Sequence, residues 1–247
     1  MQNGHEFNNK PVALITGGAR GLGSEIAIQL SLRGYATAIH YFQSDREANR
    51  LRERLGDKTI SIHHADLRNV KACENLVQSV IQTMGRLDVL VNNASLLHRT
   101  SPGELSEDIW METMALNLRS VAFLSMYGAK AMQESDGGSI LNIGDLAGLE
   151  PWPAYLAHAV SKAGVHHLTR CMALAYAPEI TVNAIAPGLL EAPPGWTEQR
   201  KNRLADRIPG GRPAKLSEVA ALAVDLVGNP SITGQIIAVD RGQSLSF

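Results

Sequence analysis

The chain has 247 residues, of which 45% are hydrophobic and 19% are charged, and its formal net charge is −1. This balance is ordinary for a globular protein and excludes a general field that would attract nucleic acid or an anionic membrane surface. Only two cysteines are present, Cys73 and Cys171, so we expect no disulfide framework and a reducing, cytoplasmic location. The polar start lacks a signal-peptide core, and no apolar run is long enough to span a bilayer.

The first predicted element is a buried strand, because Val12–Ile15 is an uninterrupted apolar run. A glycine-rich turn follows over residues 16–23 and leads into a helix with one apolar face. That face consists of Leu22, Ile26, Ala27 and Leu30. A strand, a glycine-rich turn and a helix in this order are typical of a phosphate site, since free N–H groups and the positive end of the helix face the ligand. The alternative is a turn with a purely structural role.

Three glycines of this turn have separate expected roles. Gly17 can adopt a positive φ without a Cβ clash. Gly21 lets a ligand approach the backbone, and Gly23 lets the helix pack closely on the strand. The turn is therefore the first candidate for binding a nucleotide.

Strand and helix patterns then alternate along the chain. The further predicted strands are Ala36–Tyr41, 59–64, 87–92, 139–144, 181–186 and 235–239. The further predicted helices are Asp45–Leu55, Val70–Met84, 106–133, 152–177 and 217–227. Repeated β-α units with apolar strands predict an α/β fold, in which one continuous domain over residues 1–247 holds a seven-stranded parallel sheet with helices on both faces. Ligands of such sheets bind beyond the carboxyl ends of the strands.

The end of the second predicted strand bears on the choice of cofactor. It reads His40-Tyr41-Phe42-Gln43-Ser44, with no carboxylate before Asp45. A carboxylate there would favour NAD, whereas the guanidinium of Arg20 could reach the same corner and suits a 2′-phosphate. The sequence therefore predicts NADP(H) rather than NAD(H). The alternative is that Arg20 is a solvated surface residue.

Two polar motifs follow the next strands. Asp66-Leu67 comes after the third strand, and Asn92-Asn93-Ala94-Ser95 comes after the fourth. Both stand where the adenine and ribose of the cofactor would run, and asparagine side chains can hold such turns through the backbone. Each motif is weak evidence alone, but in these positions the two support the interpretation of the glycine turn.

Together these features resemble the short-chain dehydrogenase/reductase family. The matching pieces are the turn 16–23, Asn92-Asn93-Ala94, Asn117, Ser161-Lys162, Pro187-Gly188 and Ile232-Thr233-Gly234-Gln235. The resemblance covers nearly the whole chain. It implies a Rossmann-type doubly wound domain, a nicotinamide cofactor held also by Lys162, Pro187 and Gly188, and a homotetramer that pairs the 106–133 and 152–177 helices between subunits.

A closer resemblance is to the pteridine-reductase branch of that family. His40, Tyr41 and Ser44, the serine at Ser95 in place of a glycine, and Asp145 all look like that branch.

The family's active site contains an Asn, a Ser, a Tyr and a Lys, and the last two are spaced Tyr-x-x-x-Lys. The resemblance assigns Asn117 to the position that holds a water relay. It assigns Lys162 to the position that lowers the pKa of the tyrosine and holds the ribose. Asp145 occupies the serine position, as in pteridine reductases, where the acid faces the pterin. His158 occupies the tyrosine position, so the chain departs from the family at the proton donor.

Three further residues are expected near the substrate. Tyr155 precedes Lys162 by seven residues, about 10 Å along a helix, which favours a pocket wall over a proton donor. Leu97 stands near a stacking aromatic of pteridine reductases and offers no π-face. Trp196 lies in the stretch 191–208, which is predicted to be a mobile flap, and is either a lid or a surface anchor.

Two functions remain open from the sequence. The first is an NADPH-dependent reductase of a carbonyl or a pterin-like C=N bond, acting on a small molecule, with no metal site and no nucleic-acid or membrane partner. In that enzyme the cofactor supplies the hydride and the protein supplies a proton. The second is a nucleotide-binding protein with a regulatory or structural role and no chemistry. His158 favours the second function, whereas Asn117, Asp145 and Lys162 favour the first.

Overall fold

A computed structural model describes residues 10–56, 59–190, 197–206 and 208–245. They form one sheet of seven parallel strands in the order β3-β2-β1-β4-β5-β6-β7. The strands are β1 (Val12–Ile15), β2 (Ala36–Tyr41), β3 (Ile60–His64), β4 (Val89–Asn92), β5 (Gly138–Ile143), β6 (Ile180–Pro187) and β7 (Ile236–Val239). The helices are α1 (Gly21–Leu32), α2 (Asp45–Leu55), α3 (Val70–Met84), α4 (Glu107–Met114), α5 (Ser120–Gln133), α6 (Leu156–Tyr176), α7 (Glu198–Ala205) and α8 (Leu216–Val227).

The sheet is covered on both faces, because successive side chains of a strand point to opposite sides. In β1, Ala13 and Ile15 join an apolar cluster with α1 and α8. Val12 and Leu14 join the cluster on the other face, with α3, α5 and α6. The predicted fold class, a doubly wound α/β domain of the Rossmann type, is therefore confirmed.

Two predicted helices differ from the structure in detail. The helix expected over 106–133 contains a π-helical segment, Ala115–Arg119, between α4 and α5. A π turn inserts one extra residue into a helix, often at a functional site, and this one carries the buried Asn117. The helix expected over 152–177 starts only at Leu156, since prolines at 151 and 153 disfavour helical backbone in the residues before them.

The predicted flap, 191–208, is only partly described. It contains the two-turn helix α7, whereas Trp196 lies outside the described residues. Among the described helices, none is both long and apolar enough to cross a membrane.

The strand order reverses between β1 and β4, which are neighbours in the sheet. Connections from these strands leave in opposite directions, so a crevice opens at their carboxyl ends. The glycine turn after β1 and the loops after β4, β5 and β6 all lie at that edge.

Candidate active site

A buried histidine holds the glycine turn. The N–H of Gly17 donates to Nδ1 of His40 at 3.1 Å, and Nε2 of His40 lies 3.0 Å from the carbonyl oxygen of Ala65. Because a carbonyl only accepts, the ring proton is on Nε2 and Nδ1 is free to accept. Burial lowers the pKa of His40 to about 4, which keeps the ring uncharged at neutral pH. His40 therefore fixes the position of the turn.

The turn is packed closely against the loop after β4. Nδ2 of Asn93 donates to the carbonyl oxygens of Thr16, at 2.9 Å, and Gly17, at 3.1 Å. A Cβ on Gly23 would lie 2.6 Å from that same Nδ2, so only glycine fits there. Gly21, by contrast, has a φ of +56° and open space where a Cβ would point. The turn is thus closed toward the protein and open toward a ligand.

A cleft of about 490 Å³ opens beyond the carboxyl ends of β1, β2 and β4. Eleven of the predicted cofactor residues line it: Gly17, Arg20, Gly21, His40, Tyr41, Ser44, Asp66, Leu67, Asn93, Ala94 and Ser95. Five other predicted residues do not line it: Leu22 packs into the core, Gly23 packs under the turn, Lys162 is buried against the carbonyl of Ile143, Pro187 is buried at the end of β6, and Gly188 packs against Asp240. The glycine turn and the polar side chains of this lining fit a nucleotide cofactor.

The two arginines that line this cleft differ in their ion pairs. Arg68 binds the carboxylates of Asp66 and Glu112, and its guanidinium lies 5.2 Å from the ring centre of Phe42. The hydrogen bonds from Arg68 lower the pKa of Asp66. Arg20 is exposed at the start of α1, and among the described residues that line the cleft it is the only cation without an ion-pair partner.

A buried pair, His158 and Asp145, forms the centre of the second part of the site. Nε2 of His158 lies 3.2 Å from Oδ2 of Asp145, and Nδ1 lies 3.0 Å from the carbonyl oxygen of Leu96. Both of these partners are acceptors, whereas Nδ2 of Asn117, a donor, lies 3.3 Å from the same Nδ1. The His158 side chain is 4% exposed and that of Asp145 is 27% exposed, so Asp145 is the member that faces outward. Its other oxygen, Oδ1, accepts from the N–H of Ala147 at 2.8 Å.

Lys162 lies one turn beyond His158 on α6. Its ammonium is buried and donates to the carbonyl oxygen of Ile143 at 2.7 Å. Burial lowers the pKa of Lys162 to about 8, and the nearby carboxylate of Asp145 opposes this shift. The structure therefore brings His158, Lys162 and Asp145 together, as the spacing predicts.

The side chain of Asn117 is paired with the backbone of Leu96. Its Oδ1 accepts from the N–H of Leu96 at 2.7 Å, and its Nδ2 donates to the carbonyl oxygen of Leu96 at 2.9 Å. The expectation that Asn117 keeps a water relay in place stays a prediction, and its amide is paired with this backbone. Asn117 thereby fixes the carbonyl that His158 contacts.

The other expected substrate residues stand on two segments, the loop after β4 and the residues directly before α6. Ser95 and Leu97 are exposed on the loop after β4. Tyr155 stands directly before α6 and packs its ring against Trp152, with 6.0 Å between the ring centres. The role of Tyr155 in the wall of a pocket stays a prediction.

Three contributors to the site are missed by the sequence analysis. The carbonyl of Leu96 carries no side-chain signal, and the ion pairs of Arg68 depend on α4, which is remote in sequence. The third, His166, follows His158 and Lys162 at the same four-residue spacing on α6. That helical spacing is a signal that could have found it.

Comparisons with known proteins agree with this geometry. A family model described as enoyl-(acyl carrier protein) reductase matches residues 17–244. The chain is 30% identical to a ketoacyl reductase assigned to the granaticin polyketide synthase of Streptomyces violaceoruber, over 95% of this chain and 96% of the relative. It is 34% identical to 2-dehydro-3-deoxy-D-gluconate 5-dehydrogenase of Escherichia coli (strain K12), over 94% of each chain.

A solved structure gives the same result. A protein of Sinorhizobium meliloti 1021, assigned as a short-chain alcohol dehydrogenase, superposes with a TM-score of 0.90 at 28% identity, covering 96% of this chain and 97% of that one. The chain belongs to the short-chain dehydrogenase/reductase family. It is thereby placed among oxidoreductases that bind a nicotinamide cofactor and act on small molecules.

Proposed function

We propose that this protein is an NADPH-dependent reductase that transfers hydride to a carbonyl or a pterin-like C=N group. The observation that carries the proposal is the pair His158–Asp145 beside the buried ammonium of Lys162. These groups stand at the carboxyl ends of the strands, where the glycine turn also lies. A proton source and a cation next to a dinucleotide cleft are the groups that such a reduction requires.

In this proposal the residues lining the cleft bind NADP(H). The turn 16–23 receives the phosphates, and Arg20 and Ser44 bind the 2′-phosphate at the end of β2. Asp66, Leu67, Asn93, Ala94 and Ser95 contact the adenosine half, while Lys162, Pro187 and Gly188 hold the nicotinamide half. When bound, the cofactor supplies the hydride. The unpaired charge of Arg20 supports NADP(H) over NAD(H).

The protein supplies the proton through the pair. His158 holds a proton on Nε2 against Oδ2 of Asp145, and Asn117 keeps Leu96 in place to accept from Nδ1. Because the ring is buried and Asp145 faces outward, the proton passes from Nε2 to the carboxylate and from there to the substrate. His158 then replaces the phenol of the family at that step.

Two classes of substrate follow from different observations. The ketoacyl reductase and the sugar-acid dehydrogenase among the relatives favour a carbonyl compound. An outward carboxylate at position 145 favours a ring with N–H donors, as in a pterin. Leu97 and Tyr155 would then line the site from two sides.

A rival function is favoured by one observation. Both ring nitrogens of His158 are engaged by polar groups of the protein itself, and the ring is buried. Under that interpretation the chain binds the cofactor and performs no chemistry, and it has a regulatory or structural role.

An activity screen separates the two functions. Purified protein and NADPH are tested with ketones, quinones, and quinonoid and 7,8-dihydropterins. The reductase predicts turnover of at least one of these compounds, loss of turnover in His158→Ala, and unchanged turnover in the exposed control His167→Ala. If wild type binds NADPH but turns over no compound from pH 5 to 8, while His158→Tyr is active, the rival is correct.

The cofactor assignment has its own test. Losing a charged hydrogen bond to phosphate costs about 1.5–3 kcal/mol, so Arg20→Ala should weaken NADPH binding by roughly tenfold or more. NADH affinity should stay nearly unchanged. Arg33→Ala, at the other end of α1, is the matched control because Arg33 pairs with Asp225 on the surface. Equal affinity of wild type for NADPH and NADH by isothermal titration would contradict the assignment.

We also propose that the protein is a cytoplasmic homotetramer, as the family resemblance implies. Apolar side chains stand exposed on α5 and α6, among them Met126 and Leu174, the latter 85% exposed. Pairing of these helices between subunits would bury them. Sedimentation velocity should give a tetramer for wild type and a smaller species for Leu174→Lys, whereas Leu32→Lys, exposed on α1, should leave the assembly intact.

A further inference from the structure

We infer that His166 is a positioning residue whose ring holds the segment 143–148 at the distance from α6 that lets Asp145 meet His158. This inference rests on the proposed function, because it concerns the same site. It does not depend on whether the pair turns over a substrate, since its first effect is on the contact between two side chains.

The geometry begins with a stripe on α6. His158, Lys162 and His166 are four residues apart, so they project from one face of the helix over three successive turns. Each contacts the segment 143–148: His158 reaches Asp145, Lys162 reaches the carbonyl of Ile143, and His166 lies against two glycines.

Those two glycines are Gly144 and Gly148, which flank the loop that carries Asp145. A Cβ on Gly144 would overlap Nε2 of His166, and a Cβ on Gly148 would lie 2.7 Å from its Cε1. The imidazole is 4% exposed and fills the space that both glycines leave. The loop and the ring are therefore complementary in shape.

The ring acts by its volume. Both ring nitrogens are buried, and among the described residues neither has a hydrogen-bond partner that meets normal geometry. Burial, and then the charge of Lys162, lower the pKa of His166 to about 4, so the ring is uncharged. A charged ring would repel Lys162, whereas a neutral one separates the loop from the helix without disturbing the ammonium.

Variants that exchange side-chain size between position 166 and a glycine test the inference. His166→Ala removes the imidazole ring, and Gly144→Ala adds a methyl group that would overlap that ring. In the double variant the new methyl group occupies space that the ring has left and keeps one close backbone contact, 3.0 Å from the carbonyl oxygen of Ile185, so the loop should return most of the way toward its place. Gly148→Ala is the matched control, because its Cβ would also lie 2.8 Å from the backbone carbon of Lys162, which no change at position 166 removes.

The first readout is the ring ¹⁵N spectrum of His158 in selectively labelled protein, which reports its contact with Asp145 directly. We expect each single variant to shift these signals and the pair Gly144→Ala with His166→Ala to restore them. The pair Gly148→Ala with His166→Ala should not restore them. His167→Ala, next to His166 but exposed, should leave the spectrum unchanged.

The second readout is kinetic and applies to a substrate found in the screen. A displaced catalytic group costs on the order of 10- to 100-fold, so kcat should fall by that factor in His166→Ala while KM for NADPH stays within about twofold. If the His158 signals are the same in wild type and in a folded His166→Ala variant, the inference is wrong. Failure of all turnover with the spectral pattern intact would instead overturn only the proposed function.

Discussion

Acidification should destabilise the protein through two buried histidines, His40 and His166. The pKa of each is about 4 in the folded chain, against an ordinary value near 6.5. Between these values the unfolded chain takes up protons that the folded chain does not. The free energy of unfolding therefore decreases as the pH falls. The stability is fully present above about pH 6.5 and is progressively lost as the pH falls toward about 4.

The magnitude follows from the size of these shifts. A pKa difference of about 2.5 units corresponds to roughly 3 kcal/mol for each ring once the titration is complete. At pH 5 about 2 kcal/mol of that is reached for each ring, and about 4 kcal/mol for the two. Since domains are stable by about 5–15 kcal/mol, the loss is a large part of the total.

Urea unfolding at pH 7.5, 6 and 5, followed by circular dichroism, measures this effect. His166→Leu should remove about 2 kcal/mol of the pH dependence between pH 7.5 and 5, whatever its effect on stability at pH 7.5, and His63, whose pKa burial also lowers, adds to the remainder. His167→Ala, whose ring is exposed, should leave the dependence unchanged. If the free energy of unfolding of wild type differs by less than about 0.5 kcal/mol between pH 7.5 and 5, the two rings are not buried and neutral as described.

Two further predictions concern the cofactor site. Lys162→Met should weaken NADPH binding, as measured by isothermal titration. Wild-type binding should weaken above about pH 8, because the lysine, with its lowered pKa, loses its charge there. Unchanged affinity in the variant would remove Lys162 from the proposed ribose site. Gly23→Ala should cost about 1–3 kcal/mol in urea unfolding and abolish cofactor binding, because its Cβ meets Nδ2 of Asn93. Gly103→Ala, with open space around its Cβ, is the control, and equal behaviour of the two variants would contradict the close packing of the turn.

The fold is largely predictable from the sequence, because hydrophobic periodicity decides which side chains are buried. Val12–Ile15 is an apolar run and is a central strand. The π-helical segment Ala115–Arg119 is not predictable in the same way, since one extra residue in a helical turn leaves the apolar pattern nearly unchanged. The start of α6 at Leu156 reflects local proline effects, which set boundaries more finely than periodicity does.

The site is predictable where the positions are fixed by one element or by a motif. His158 and Lys162 share a face of α6. Asp145 closely follows β5, at the carboxyl edge of the sheet, where its side chain contacts His158. The use of Leu96 as an acceptor is not predictable, because it depends on how Asn117, on another helix, holds the backbone of the loop. The expected relay role of Asn117 came from the family pattern and carried no information on this contact.

The charges around Asp145 bear on the choice between the two functions. The ammonium of Lys162 is buried, and the nearby, partly exposed carboxylate of Asp145 favours its charged form. Burying an ammonium costs stability. Hydride transfer places negative charge on the accepting group of the substrate, and a fixed positive charge stabilises that negative charge as it develops. The buried charge of Lys162 therefore favours the reductase over a protein that only binds a cofactor.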